Sequence, residues 1–295
     1  MMVANIKGTG NLHGRYRITI SDANSGILLK DSGWCNNLIT NHGLNSIGNQ
    51  QDLFYACKLG SGSAAPTPSD VGVQIPLGSY ASIASATYEL VTDASGTYGK
   101  SVAKYNFPAG SIVGTIREVA VGDLSYSNTG AHSRSLLKVN GVPVELTATN
   151  TDLVSVEYEL RNYITSLEEN YQQVINGITY NVNSKFVGLT SSYYYGVSTS
   201  NSSRFSQQYY DVLNNGTYSF DGDALNTYVN NSYELTGTAI LNNGIARTIS
   251  RIALIGSGNC VGMTQLTFTP NIQKSANQKI VFNYKYKWGR YEGTI

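Results

Sequence analysis

Imidazoles, carboxylates and thiols are the groups in this sequence that would do chemistry if the fold brought them together. The three histidines, His13, His42 and His132, stand far apart. They have no H-x-H or H-E-x-x-H spacing, so no zinc site is written here and they read as solvated loop residues. Cys35, Cys57 and Cys260 are odd in number and lack C-x-x-C or Cys/His spacing. Buried free thiols are expected, with a Cys35–Cys57 bridge as the other option. Asp211, Asp221 and Asp223 are the carboxylates from which a glycoside-cleaving pair would be drawn, because such groups can be far apart in sequence and close in space. The last two lie in SFDGDALN, which reads more simply as an acidic turn, or at most as a loose Ca²⁺ loop, since the rest of the EF-hand spacing is missing. No G-x-S-x-G elbow, P-loop or G-x-G-x-x-G opening a helix occurs. The expectation is a protein that is not an enzyme and carries no cofactor and no metal.

Recognition is the other chemistry on offer. Ser191 to Asp211 reads SSYYYGVSTSNSSRFSQQYYD. Tyr193, Tyr194, Tyr195, Tyr209 and Tyr210 bring large rigid faces with a hydrogen-bonding tip, and Ser and Asn add adaptable polar contacts, the composition of a recognition loop. The same run also fits a plain strand, with Tyr193 and Tyr195 on one face, Tyr194 on the other, and one face in the core. Both readings stand on the sequence alone.

The composition narrows the partners. Charged residues make up 13% of the 295, and the formal net charge is +1; a typical globular protein has about 25% charge. Twenty-two tyrosines and many Ser, Thr and Asn supply polarity without charge, which suits contact with other surfaces. With no Lys/Arg run, nucleic acid and a polybasic membrane patch are set aside. No segment approaches the ~18 apolar residues of a membrane helix. The opening MMVANIKGTGNLHGRYR has no apolar signal core, so a soluble, unprocessed chain without membrane insertion is expected.

These side chains have to be positioned by sheet. Period-2 alternation recurs almost throughout and long helical periodicity almost nowhere. Tyr16, Ile18 and Ile20 alternate before the turn Asp22 to Gly26, and Ile27 and Leu29 resume after it. Asn-Gly pairs, which favour type I′ turns, stand at 140–141, 176–177, 215–216 and 243–244; those in LLKVNGVPVEL and QQVINGITYNV have apolar flanks and mark hairpins. Short helix is expected in NNLITNHGLNSIG, where Asn41 would cap a turn burying Leu44 and Ile47 and Gly43 would weaken it. In TSLEENYQQV, Ser166 and Glu169 form a capping-box pattern, although a strand leading into the 176–177 hairpin fits equally.

A weak repeat sets the domain count. TIREVAVG from Thr115 matches TISRIALIG from Thr248, LTATN from Leu146 matches LTFTP from Leu266, and VSVEYELR from Val154 matches IVFNYKYK from Ile280. Three matches in the same order imply duplication, with Ile116 equivalent to Ile249 and Tyr158 to Tyr284. The expected fold is all-β: two related antiparallel β-sandwich-like domains with short helical turns, spanning 1–165 and 166–295.

Between two apparent strands, residues 57 to 79 read CKLGSGSAAPTPSDVGVQIPLGS, a long polar arch with almost no charge. Together with WCNNLITNHGLNSIGNQ before it and the strand REVAVG after it, this stretch resembles a pattern in tail-fibre and appendage proteins of tailed bacteriophages. Asn37, Ile39, Thr40, Asn41, Gly43 and Leu44 match the Asn-rich opening of that pattern. Gly60, Gly62, Pro66, Pro68, Asp70, Pro76 and Leu77 match its G-x-G strand end, proline arch and short leucine motif. The match covers the first half; the second keeps only the strand order. The resemblance implies a structural virion protein, assembled in the host cytoplasm as a homo-oligomer. Its first domain would attach to the tail, and its second would contact another tail protein or a host surface glycan. The prolines stiffen the arch and remove N–H donors, so it can lie against a neighbouring subunit without joining its sheet; the plain alternative is a surface loop. Two other classes remain as alternatives. A capsule-polysaccharide-degrading enzyme would need carboxylates clustered in a cleft, and a free-standing carbohydrate-binding module would be monomeric with exposed aromatics.

Overall fold

The computed structural model describes residues 2–49, 53–125, 127–139, 142–164, 168–188, 205–211, 216–219, 225–256 and 263–292. Almost all of it is strand. The first half supplies β1 (Met2–Asp22), β2 (Leu28–Asp31), β3 (Cys35–Asn36), β4 (Leu38–Ile39), helix α1 (Asn41–Gly48), β5 (Ala56–Gly60), β6 (Pro76–Asp93), β7 (Gly96–Phe107), β8 (Gly114–Ile116), β9 (Glu118–Gly122), β10 (Ala131–Leu136), β11 (Lys138–Val139), β12 (Val142–Pro143), β13 (Leu146–Ala148) and β14 (Asp152–Ile164). The second supplies β15 (Glu168–Ile175), β16 (Ile178–Gly188), β17 (Phe205–Asp211), β18 (Gly216–Ser219), β19 (Leu225–Tyr228), β20 (Glu234–Leu241), β21 (Arg247–Gly256), β22 (Met263–Lys274) and β23 (Ile280–Arg290).

A 13-stranded sheet runs β19-β20-β23-β1-β14-β7-β6-β5-β9-β10-β4, with β2 and β3 added on β1, and a six-stranded sheet runs β15-β16-β22-β21-β17-β18. The large sheet folds over on itself at β6, which pairs with β5 near its start and with β7 over the rest. Tyr16, Ile18 and Ile20 of β1, Val154, Val156 and Tyr158 of β14, and Tyr105 and Phe107 of β7 thereby face Cys57 and Leu59 of β5 and Val119 and Val121 of β9 in one buried cluster. Phe268, Ile272 and Phe282 from the second half belong to that same cluster. Cys35 and Cys57 are both buried free thiols.

The large sheet takes strands from both sides of residue 165. Gly10–Asp22 of β1 pairs antiparallel with β14, and Met2–Leu12 pairs parallel with β23. The last strands of the two sequence repeats thus flank a single shared strand. Upstream of them, β8 pairs antiparallel with β13 and β21 with β22. The registers of these pairs differ: Ile116 faces Leu146, whereas Leu266 faces Ile252, and Ile249 faces Ile272. Between those rungs β22 bulges around Pro270, which has no N–H to give the ladder.

Local turn chemistry is largely as expected. Asn176 and Gly177 both have positive φ and close the β15–β16 hairpin. The capping-box segment of TSLEENYQQV resolves as strand from Glu168 onward. Helix α1 is capped by Thr40, not Asn41: Thr40 Oγ1 accepts from Gly43 N at 2.9 Å and donates to Ala131 O at 2.6 Å. Leu44 and Ile47 are buried as expected. Gly43 is there for space, since a Cβ would lie 2.2 Å from His132 O. Gly43→Ala is therefore expected to cost about 1–3 kcal/mol by overpacking. It should lower the thermal midpoint, whereas an unchanged midpoint would show that the helix can shift away.

The histidines lie on regular elements and not in loops, and only His42 is solvent-exposed. His13 lies within β1, His42 on α1, and His132 is buried on β10. His13 is half-buried and His42 exposed, so burial is complete only at His132, a placement that spacing along the chain does not reveal.

Candidate functional site

The arch is built on a buried carboxylate. Every residue of β9 is buried, and Glu118, at its first position, is 0% exposed. Its Oε1 accepts backbone N–H groups from Gly62 at 2.8 Å, Gln74 at 2.9 Å and Ile75 at 3.0 Å. Its Oε2 accepts Arg134 Nε at 2.8 Å. Arg134 lies on β10 with its side chain 3% exposed; Nη1 reaches Asp70 Oδ2 at 2.7 Å and Nη2 reaches Ala64 O at 3.0 Å. One ion pair thus holds both limbs of the arch. Burial acts to raise the pKa of Asp70, but the Thr67 amide and the Arg134 guanidinium outweigh it and hold the carboxyl below its ordinary value.

Further bonds fix the crest. Asp70 accepts from Thr67 N and Thr67 Oγ1, closing a turn over Pro68, whose carbonyl accepts from Asn41 N at 2.7 Å. Val71 O accepts from both Gly130 N and Ala131 N, and Asn128 Oδ1 accepts from Val73 N. An Ω-loop tied at so many points is preorganised.

The expected contact residues divide into two groups. Gly60 and Gly62 are buried beside Glu118, where a Cβ would approach Oε1 to 2.5 Å and 2.4 Å. Asp70 is bound to Arg134, and half-buried Leu77 packs on the main core opposite Leu59. These four shape the arch from beneath. Pro66 is half-buried, while Pro68 and Pro76 are exposed on the outside. Beside them stand Val71, 52% exposed, and Ile75, 54% exposed, which sequence reading passed over. It also passed over Glu118 and Arg134, although a carboxylate heading the apolar run VAVG was a visible signal.

A second charged cluster lies on the outer face of the large sheet. Glu159, 2% exposed, takes a bidentate pair from Arg15 at 2.9 and 3.0 Å and accepts Arg161 Nε at 2.6 Å. Arg15 lies over the Trp34 ring and Arg161 over the Tyr98 ring, each 4.6 Å from the centroid. His13, directly opposite Arg161, has its pKa pushed down to about 4 by burial and then by Arg161 and Arg15, with Glu159 opposing. On the same face Lys104 pairs with Glu157 and Lys100 with Glu89. This is a compensated ion-pair ladder.

Tyr209 and Tyr210 lie on β17, opposite Ile252 and Arg251 of β21. Tyr193, Tyr194, Tyr195, Asp221 and Asp223 fall outside the described residues, and Asp211 ends β17 opposite Gly216. Among the described residues no group of three His, Cys, Asp or Glu side chains is placed to hold a metal ion, and no helix is long and apolar enough to cross a membrane. Comparison of the chain with protein-family models, with curated proteins and with solved structures gives no match.

Proposed function

We propose that the protein is a structural component of a bacteriophage tail, a fibre, appendage or fibre-anchoring adaptor, which works by assembly with copies of itself and with other tail proteins. The observation that carries this reading is the arch: a loop braced from within by Glu118 and Arg134, yet presenting Val71, Ile75, Pro68 and Pro76 outward. Its charged members are turned inward, so docking a partner there removes apolar surface from water without stripping a charge. Because the loop is already fixed, little ordering entropy opposes that contact. The resemblance of the flanking motifs to tail-fibre and appendage proteins supplies the class of partner. The second half would contact the next tail component or a host surface glycan.

Replacing the arch by an Asn-Gly turn does not test this contact, because it would also strip Glu118 and Arg134 of their partners. Two outward substitutions do. Val71→Glu with Ile75→Glu is expected to leave the thermal midpoint within a few degrees of the parent and to reduce incorporation into purified virions at least tenfold. Normal incorporation of a folded double variant would end the assembly reading of the arch.

A further inference from the structure

Helix α1 is the joint at which the two halves meet through side chains. Trp288 Nε1 donates to Leu44 O at 2.8 Å, and Arg290 donates to Ile39 O and Asn41 Oδ1, both at 2.6 Å. From the turn after β19, Asn231 N donates to Asn45 Oδ1 at 2.7 Å, and Tyr228 OH donates to the same atom at 2.5 Å. Gly48 lets the Tyr228 ring lie against the helix, since a Cβ would approach that ring to 2.3 Å.

Beneath this joint sits a pair of imidazoles. His132 of β10 is 4% exposed, and its ring stacks on that of His42 of α1 with centroids 5.3 Å apart and planes at 22°. Its Nδ1 lies 3.1 Å from Leu53 O and its Nε2 3.0 Å from Ser46 Oγ on α1. A carbonyl only accepts, so Nδ1 carries the proton of the neutral ring, while Ser46 Oγ, which donates its one hydrogen to His42 O at 2.9 Å, faces Nε2 with its oxygen. The other charges nearby offer no relief. Arg134 on the same strand is engaged by Glu118 and Asp70, and Arg290 from β23 is a further cation. Among the described residues no carboxylate bonds to either imidazole.

We propose that the stacked His42–His132 pair makes α1 an acid-sensitive latch, which holds the second half's side chains at neutral pH and lets go of them when His132 takes up a proton. A proton on Nε2 would put a buried cation against a second imidazole with no counter-charge, so the favoured escape is for α1 to lift and expose the ring. The pKa of His132 points the same way: it is pushed down from the ordinary 6.5 to about 4, by burial first and by His42 as well, with the Leu53 carbonyl opposing. The proton therefore binds the lifted state near the ordinary value and the latched state only near 4. Between those limits the lifting equilibrium rises by about tenfold for each unit of falling pH, and below them it levels off. The backbone ladder between β1 and β23 contains no histidine; His13, one residue beyond its end, is the other imidazole pushed down to about 4, and its protonation loads the β1–β14 pairing rather than α1.

Native-state amide exchange of the full chain between pH 7 and 4.5, corrected for intrinsic rates, tests the latch. Protection of Leu44 and Ile47 is expected to fall about tenfold per pH unit, with that of Val119 and Val121 much less affected. His132→Gln keeps a neutral hydrogen-bonding side chain and should remove the pH dependence. His42→Gln, a change at an exposed position, should weaken it and guards against a misfolded first variant. Loss of protection in step across α1 and β9, or an α1 response unchanged in both variants, would overturn the proposal.

Discussion

Glu118→Ala is expected to cost about 3–5 kcal/mol of unfolding free energy and to free the arch from the sheet. The loss has two parts. Arg134, 3% exposed, would keep Asp70 but lose its buried partner, and a buried cation left short of counter-charge is expensive. The N–H groups of Gly62, Gln74 and Ile75 would lose the carboxylate that satisfies them, and an unpaired buried donor costs ~1–3 kcal/mol. Nothing apolar refills the space, so the loop is expected to open. Urea unfolding gives the free energy, and amide exchange at those three residues gives the arch. A change below about 1 kcal/mol with unchanged exchange would mean that the arch is held by its crest bonds alone. Glu118→Gln separates the parts: its amide oxygen still accepts the N–H groups while its NH₂ faces Arg134, so a cost close to that of the alanine variant assigns most of the effect to charge.

How far the sequence spoke for itself depends on the range of the interaction. The Asn176-Gly177 hairpin was legible because turn and strands are contiguous and both turn residues need positive φ. Asn243-Gly244 has the same chemistry, yet no hairpin forms, because β20 pairs with β23 while β21 joins the other sheet. A turn motif specifies a reversal of the chain, not the partner of the strand that follows. The arch was recognisable from its prolines and glycines. Its foundation was not, because Glu118 and Arg134 meet the loop from residues 43 to 70 positions away. For the same reason His132 was misread as solvated: the groups that bury it lie on α1 and beside Leu53, far back in the chain. The shared strand β1 was hidden too, since one 21-residue alternation gives no sign that its two ends serve different neighbours.

That shared strand leads to the second large effect. Trp288→Ala is expected to cost about 3–5 kcal/mol and to lower the stability of the first half as well as the second. Trp288 is 5% exposed, stacks on Tyr228 with ring centroids 5.5 Å apart, and donates to Leu44 O on α1. Its backbone pairs with Gly10, the rung at which β1 passes from β23 to β14. Loss of the indole therefore opens a cavity at the crossing point of the ladder, and the main buried cluster, which runs through both halves, transmits the loss. The only other tryptophan is Trp34, in the first half beside Arg15. In the Trp288→Ala variant its fluorescence reports that half alone, while far-ultraviolet circular dichroism reports the whole chain. If the halves fold as one cooperative unit, the Trp34 midpoint falls together with the circular dichroism midpoint, and both lie below the parent. If residues 1–165 and 166–295 are independently stable, Trp34 keeps the parent midpoint while the circular dichroism curve splits in two. Coincident transitions would show that the two halves unfold as one unit, with β1, paired to both β14 and β23, as the strand they share.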